Sequence, residues 1–591
     1  MILQALTNLY EDLADQGKLA REGWANAKIS YALCIDRDGK LLQIVSLKQE
    51  ELSGKKTVLR PRAMELPVKI EGTSGICPNF LWDKSAYLLG IDGKGKPERS
   101  RKCFEAAREF YHELLDPVDS ETARAILAFF DNWDPKEAAE HPAVRDNYDE
   151  LCKGANLVFR VGGRFAQEDE AIRGAWQAHY DTDDGESMQC LITGKNESVM
   201  LKHPSISGVS DAQSFGAKIV SFNESAFCSY GREQGLNAPV GKYAAFAYTS
   251  ALNYLLADRP NVTFIRDTTV VCWAEGAQEQ YQAFAMDALF NAGGAMNALF
   301  GNENTALSEA DVRATVKRLA EGKPCEEYDL NPNRPFYILG LALNAARISI
   351  RFFLRDSFGR FLKNVNDHNE RMEIVRRPSY DKNETLPIWA MLRETVNLKS
   401  RDKAPSPVMA GAAVRAILTG GRYPASLLEN VMLRIRAERD VTRGRAAILK
   451  AYYLRNEHTD CPKEVLTVAL NEESTNIPYV LGRLFSVYEE TQQAANSGTS
   501  EKQRKSRLKE CYFNAAATMP ATIFPILAKL YQIYLRKLDA GYAVNLDKQV
   551  TELKSILGEE YPARLTLPQQ GSFDLGYYHQ TQKRYANEEE K

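Results

Sequence analysis

Histidine and cysteine are scarce in this chain of 591 residues, and long apolar runs are absent. The seven histidines form no His-Glu-x-x-His or His-x-His pattern, and the ten cysteines form no Cys-x-x-Cys pair. This spacing argues against the common zinc sites, and we expect reduced, mostly buried thiols. No apolar segment approaches the roughly 18–20 residues that span a bilayer, so we expect no membrane-spanning segment.

The N-terminus lacks the basic and then apolar pattern of a signal peptide, because Glu11, Asp12 and Asp15 lie where that pattern would be. Export is therefore not expected, and the cytoplasm is the predicted compartment.

Nucleotide-binding and esterase motifs are also missing. Gly90, Gly95 and Lys96 match the start of a phosphate-binding Gly-x-x-x-x-Gly-Lys loop, but Pro97 replaces the hydroxyl residue that would bind magnesium. No Gly-x-Ser-x-Gly nucleophile elbow occurs. We therefore predict no catalytic residue, no metal and no cofactor.

One enzymatic alternative stays open at an acidic segment. Between Phe165 and Ser187 the chain carries seven acidic residues against Arg173 alone. A metal-dependent nuclease that uses the carboxylates of 168–186, with Asp181 and Asp183 as ligands, is the functional interpretation. An acidic segment of this length is more often a solvated loop.

Helical and alternating apolar patterns predict an α+β fold. Hydrophobic residues make up 44% of the chain, and its length exceeds one ordinary hydrophobic core. Ser120 is a predicted helix N-cap, and Asn476 with Pro478 predicts another helix start. The segment 347–353 alternates with period two, which predicts a strand with Ile348, Ile350 and Phe352 buried. A helix there ranks second because of the β-branched content.

Three regions follow from these patterns: a mixed α/β body over 1–380 with a sub-boundary near 150–210, a helical connecting region with Arg-rich helices over 381–465, and an all-α helical bundle over 466–591. A further strand is predicted at 216–223. We find no internal repeat and no low-complexity tract.

Local charge differs from the overall balance of 75 basic and 78 acidic residues, a net charge of −3. Four clusters are basic: 55–62, 94–102, 347–377 and 432–455. Such clusters suit tracking of a polyanion, while solvated faces or pairing with the acidic 131–150 and 165–187 stretches explain a single cluster equally well.

The loop 229–239, of sequence SYGREQGLNAP, combines glycines with amide and hydroxyl side chains. Gln and Asn both donate and accept hydrogen bonds, so this loop can present them to base edges in a DNA groove. A capping and turn role for Asn237 ahead of the following helix is the structural alternative, and both can hold together.

At this loop the sequence resembles the large subunit of type I-C CRISPR surveillance complexes (Cascade). The resemblance rests on GAKIVSFNESAFCSYGREQGLNAPVGKYAAFAYTSALNYLLAD and the DTTVVCWAE that follows it. It continues, in chain order, in MILQALTNLYEDLADQGK, NFLWDKSAYLLGID, PFYILGLALNAARISIRFFLRDSFG, VLTVALNEESTNIPYVLGRLFSVYE and ARLTLPQQGSFDLGYYHQTQ. It therefore covers essentially the whole chain.

The resemblance implies a non-enzymatic subunit of a crRNA-guided complex. Family members read a short protospacer-adjacent motif in duplex DNA, help to open the duplex into an R-loop and handle the displaced strand, while guide pairing reads the remaining sequence. The implied partners are crRNA, target double-stranded DNA, the repeated crRNA-binding backbone subunits, the crRNA-processing subunit and a helicase–nuclease.

The resemblance also implies that the C-terminal part is made separately as the small subunit. Because no methionine lies between Met432 and Met519, an internal start would need a non-AUG codon at Val468 or Leu470.

Candidate contacts with the motif duplex are the loop residues and two residues of the second family-like segment. They are Asn79, Lys84, Ser229, Tyr230, Gly231, Gln234, Gly235 and Asn237. Candidates for nucleic-acid backbone are Lys55, Lys56, Arg60, Arg62, Lys94, Lys96, Arg347, Arg351, Arg434, Arg436, Arg443 and Arg445. The sequence leaves open whether the later arginines face the displaced strand or neighbouring subunits.

Overall fold

The computed structural model describes residues 1–53, 56–70, 75–91, 97–182, 185–212, 216–258, 261–290, 309–344, 347–377, 381, 385–397, 399, 403–496, 507–558 and 560–589. The chain divides into two compact units: the first unit comprises Met1–Ala257 and Asn344–Ile348, and the second comprises Asp258–Leu343 and Ser349–Lys591.

The first unit is a mixed α/β structure. Its helices are Ile2–Asp15, Ser85–Leu88, Pro97–Leu115, Glu121–Asn132, Pro142–Arg145, Tyr148–Cys152, Glu170–Tyr180 and Lys242–Ala257. Its strands are β1 (Trp24–Ile29), β2 (Tyr31–Ile35), β3 (Leu41–Ser46), β4 (Gln49–Ser53), β5 (Lys56–Arg60), β6 (Arg62–Pro67), β7 (Trp82–Lys84), β8 (Asn156–Val161), β9 (Arg164–Phe165), β10 (Ser187–Gln189) and β11 (Asn196–Ser198).

A five-stranded sheet organises this unit, in the order β3-β2-β8-β7 with β9 paired to β8. β2 and β8 run parallel, and the other pairs are antiparallel. Buried aromatic side chains fill the adjacent core, where the rings of Phe80 and Trp176 stack with centroids 5.5 Å apart. Ser120 accepts hydrogen bonds from the backbone N–H groups of Thr122 and Ala123, which confirms the predicted N-cap.

The second unit combines one antiparallel sheet with many helices. The sheet has the order β12 (Thr263–Ile265), β13 (Thr268–Ala274), β14 (Pro335–Asn344) and β15 (Arg347–Ser357). The helices are Glu279–Phe290, Glu309–Ala320, Phe358–Met372, Ile388–Arg393, Pro407–Thr419, Ala425–Glu438, Arg443–Asn456, Ile477–Ala495, Arg507–Thr518, Pro520–Leu535, Ala540–Leu557 and Leu567–Glu589.

The sequence predictions for this unit are largely confirmed. β15 buries Ile348 and Phe352, whereas Ile350 is half-buried. The helix Ile477–Ala495 begins at Asn476, whose side chain accepts a hydrogen bond from the Tyr479 N–H. The mixed α+β fold with a helical C-terminal region is thus observed. In the first unit, the predicted strand at 216–223 is wrong, because that segment forms only isolated bridges at Ala217 and Lys218.

In the described part of the chain after residue 476, five helices form the C-terminal bundle, and they pack onto the preceding part of the same unit. The Tyr578 hydroxyl donates to the Val375 carbonyl oxygen at 2.7 Å, and Arg436 donates to Gln570 at 2.7 Å. One hydrophobic core continues through all these helices. The boundary at 465/466 stays a prediction. Over the described residues, no helix has the length and hydropathy needed to cross a membrane.

Candidate nucleic-acid interface

Within the predicted loop 229–239, residues 229–237, here called the loop 229–237, are held in one shape by the side chain of Asn237. Its Oδ1 accepts a hydrogen bond from the Ser229 N–H at 2.8 Å, and its Nδ2 donates to the carbonyl oxygens of Arg232 and Gln234, each at 3.1 Å. The amide therefore closes the loop on itself across eight residues. This is the turn role that the sequence offered as an alternative, and it leaves direct base contact by Asn237 a prediction.

Two glycines support the loop for different reasons. Gly231 has φ +68, and nothing lies within 4 Å of where its Cβ would be, so backbone conformation alone favours glycine there. A Cβ at Gly235 would lie 2.3 Å from the Met200 carbonyl oxygen. Gly235 is buried, and its N–H donates to the Leu201 carbonyl oxygen at 3.1 Å. Its close approach is thus to the protein's own backbone.

The side chains that this loop presents to solvent are those of Ser229, Tyr230, Arg232 and Glu233, with Gln234 half-exposed. Tyr230 is 99% exposed. Tyr230 and Gln234 both have positive φ, +55 and +47, a conformation that bulky residues rarely adopt. A fixed backbone that presents a phenol and an amide to solvent can hydrogen-bond and stack against a partner.

Arg347, the first residue of β15, contacts the segment before this loop, within the first unit. Its guanidinium lies 4.0 Å from the centroid of the Phe227 ring and donates to Asn223. The backbone supports this contact, because the Ile348 N–H donates to the Lys218 carbonyl oxygen at 2.9 Å. Arg347 therefore positions the segment 223–227.

The second predicted motif segment contains one buried and one exposed candidate. Asn79 is 6% exposed, and its Oδ1 accepts from the Ile70 N–H at 3.1 Å. Its own N–H donates to Asp83 at 2.7 Å, and burial raises the pKa of Asp83 to about 6. Lys84 is exposed at the end of β7. Of the two, Lys84 is the side chain that a ligand can reach as the protein is folded.

The early basic clusters are described only in part. Lys55, Lys94 and Lys96 lie outside the described residues, and of Lys56 only the backbone, at the start of β5, is described. Arg60 and Arg62 are exposed at neighbouring strand ends. The Arg62 guanidinium lies 6.0 Å from the centroid of the Phe165 ring.

The later arginines are engaged within the second unit. Arg351 pairs with Asp267 at 2.8 Å, Arg434 with Glu438 at 3.5 Å, and Arg436 with Gln570 at 2.7 Å. Burial lowers the pKa of the half-buried Arg443.

Arg445 is the most buried of these arginines, at 4% exposure. It contacts Glu438 at 2.5 Å and Glu394 at 3.4 Å, and it donates to the Asp440 carbonyl oxygen at 2.9 Å. Lys450 of the same helix is also buried and donates to the Arg371 carbonyl oxygen at 3.0 Å, and its burial lowers its pKa to about 8. In the most basic cluster of the sequence, 432–455, most of the basic side chains thus make contacts within the protein.

The acidic segment 168–186 has structural contacts as well. Asp169 caps the helix Glu170–Tyr180 and accepts from Ser120, and Glu168 accepts from the Phe165 N–H at 3.3 Å. Asp183 and Asp184 lie outside the described residues. Within the described part of the chain, no group of three potential ligands is placed to hold a metal ion.

Sequence reasoning missed Asn223 and Phe227 as partners of Arg347. These residues are separated by more than a hundred positions in the sequence, so no local spacing could reveal the contact. It offered a turn role for Asn237, but not its hydrogen-bond partners Ser229, Arg232 and Gln234.

Comparison with known proteins supplies the family. No curated protein sequence matches the chain significantly. A family model described as CRISPR-associated protein (Cas_Csd1) matches residues 6–585, nearly the whole chain. The chain therefore belongs to the Csd1 family of CRISPR-associated proteins, the large subunits of type I-C complexes.

Proposed function

We propose that this chain is the non-catalytic subunit that recognises the protospacer-adjacent motif in a crRNA-guided type I-C Cascade. In that role it promotes R-loop formation, stabilises the displaced strand and helps to recruit the helicase–nuclease. The family membership supports the setting. The loop 229–237 carries the proposal for the motif contact.

The loop suits motif reading because its shape is set before DNA arrives. Asn237 fixes the backbone through three hydrogen bonds, so the half-exposed Gln234 is presented without a large ordering cost on binding. A glutamine amide can pair with adenine N6 and N7 in the major groove. Lys84 and Arg62 are exposed cations for the duplex backbone.

For the displaced strand and the protein partners, the proposal names regions of the chain rather than single contact residues. Arg347 lies against Phe227 and contacts Asn223, so it acts here as a support for the loop segment. Phosphate contacts by Arg434, Arg443 and Arg445 are not part of the proposal, because protein groups surround these side chains. The bundle 466–591 is the proposed small-subunit module, and the proposed compartment is the cytoplasm.

Motif reading is tested by measuring duplex binding of the assembled complex with Gln234→Glu. Gln43→Glu, on the exposed face of β3 in the first unit, is the matched control. Loss of one good side-chain–base contact should weaken binding of motif-containing duplex about 5- to 100-fold. Gln43→Glu should bind as wild type does. Both variants should assemble on crRNA normally.

Two results would count against the proposal. If Gln234→Glu prevents assembly, the loop is a subunit contact. If it weakens duplexes with a scrambled motif as much as duplexes with the motif, the loop does not read sequence.

A further inference from the structure

Tyr230 is the most exposed large side chain of the loop, and its backbone conformation is unfavourable. The Arg232 N–H donates to the Ser229 carbonyl oxygen at 3.0 Å, which makes a tight turn with Tyr230 and Gly231 at its centre. Both central residues have positive φ, +55 and +68, as in a type I′ turn. Asn or Gly is the favoured residue at the first central position of such a turn. Tyrosine therefore lowers the stability of the turn.

Packing of the ring against the folded chain does not offset this cost. Its exposed fraction is 99%, so neither face of the ring is covered. Phe227, a few residues earlier, shows the contrast: it is 42% exposed, and the Arg347 guanidinium lies over its ring at 4.0 Å. An uncovered aromatic ring on a fixed turn has both faces free to stack.

The residues next to Tyr230 along the chain favour a nucleobase over a protein surface. Ser229, Gly231, Arg232 and Glu233 are all exposed, and none of them carries a large apolar side chain. Aromatic anchors of protein interfaces are usually ringed by contacts that exclude water, whereas a base needs only the face of the ring. Within the loop itself the formal charges of Arg232 and Glu233 sum to zero, so stacking rather than phosphate attraction is the contact that the loop offers.

We propose that Tyr230 stacks on a single unstacked nucleobase of the target DNA, in or directly beside the motif. The inference rests on the proposed function of the loop 229–237. It adds that the loop contacts DNA through the face of a base as well as through base edges. Side chains that enter a base step in this way unstack and kink the duplex.

The test is a double-mutant cycle in the assembled complex. Tyr230→Ala is combined with motif duplexes that carry one abasic site, moved in turn through the motif and the three positions on each side. Tyr230→Ala should weaken binding of intact duplex about 5- to 100-fold, the range for loss of one stacked base. At one abasic position this loss should disappear, because the base that Tyr230 contacts is already missing.

Two variants serve as controls. Tyr230→Phe keeps the ring and should retain wild-type affinity and the same coupled position. Phe264→Ala removes another exposed aromatic ring, 49% exposed on β12, and should show no coupled position.

Three outcomes would overturn the inference: wild-type affinity for Tyr230→Ala, an equal loss at every abasic position, or failure of the variant complex to assemble, which would make Tyr230 a protein contact. Failure of the proposed function looks different. In that case the wild-type complex itself binds motif and scrambled duplexes equally well.

Discussion

The loop 229–237 and the basic cluster 432–455 were both candidate contacts for nucleic acid, and the structure treats them in opposite ways. The loop uses one amide, Asn237, to fix its backbone and leaves Tyr230 in solvent. The cluster uses its charges internally, with Arg445 between Glu394 and Glu438. A local charge excess in sequence therefore does not measure the charge that a ligand can reach.

The largest expected effect is on the stability of the second unit. Arg445→Ala leaves Glu394 and Glu438 without their shared cation. Because both carboxylates keep some contact with solvent, we expect a cost of about 3 kcal/mol, the low end for breaking a buried pair. The apparent Tm of the second unit should fall by roughly 5 °C or more in calorimetry. Arg415→Ala, at an exposed position of the helix Pro407–Thr419, is the control and should leave Tm unchanged. If both variants melt alike, the internal network does not stabilise the unit.

Gly235→Ala should be next in size, and it acts on the loop. Its Cβ would lie 2.3 Å from the Met200 carbonyl oxygen, so the backbone must shift. Overpacking of this kind costs about 1–3 kcal/mol. Hydrogen exchange of 199–202 and 229–238 should become faster. Gly231→Asn is the control, because asparagine tolerates positive φ and nothing lies near the Cβ position of residue 231. The same backbone amides should exchange at the wild-type rate in this variant.

Asn237→Ala removes three hydrogen bonds without creating a clash. Because the loop is largely exposed, water replaces these partners in part, and the expected cost is about 1 kcal/mol. Hydrogen exchange at Ser229 should increase, and motif-duplex affinity should fall while assembly persists. An unchanged loop in Asn237→Ala would show that the amide is not what fixes it.

Acidification should have the smallest effect, and it should lower the stability of the second unit without changing motif binding by the loop 229–237. Burial lowers the pKa of His368 to about 3, and its Nδ1 lies 2.7 Å from the Tyr423 hydroxyl. The unfolded histidine, with its pKa near 6.5, binds the proton more readily. The stability from this group is therefore present above pH 6.5 and is lost as pH falls from 6.5 towards 3.

Between pH 7 and 6 the second unit of the wild type should thus lose less than about 1 kcal/mol relative to His368→Gln. Melting curves at both pH values measure the difference. The loop 229–237 contains no histidine, so motif binding should change little over the same interval. Parallel pH profiles for wild type and His368→Gln would contradict the assignment.

Local signals predicted the elements that frame these regions. Ser120 and Asn476 cap helices as their positions indicated, and the alternation in 347–353 produced β15. These features depend on neighbours a few residues apart. The composition of the loop also marked it as a candidate site in the sequence. Two of the residues that marked it, Gly235 and Asn237, shape the loop itself through contacts with the protein.

Long-range pairing is what the sequence could not supply. Glu394 lies about fifty residues before Arg445, and Asn223 more than a hundred before Arg347. Each pair depends on how elements pack, so a count of charges in a window cannot show it. The strand expected at 216–223 failed for a related reason, because the described residues find only single bridging partners.

Site-specific photocrosslinking tests the contrast between the loop and the cluster most directly. A benzophenone side chain is placed at Tyr230, or at Arg439, the exposed residue that directly follows the helix Ala425–Glu438, in the complex bound to motif duplex. We expect crosslinks to DNA at or beside the motif from position 230 and none from position 439. Crosslinks to the motif from position 439, with none from position 230, would contradict the account.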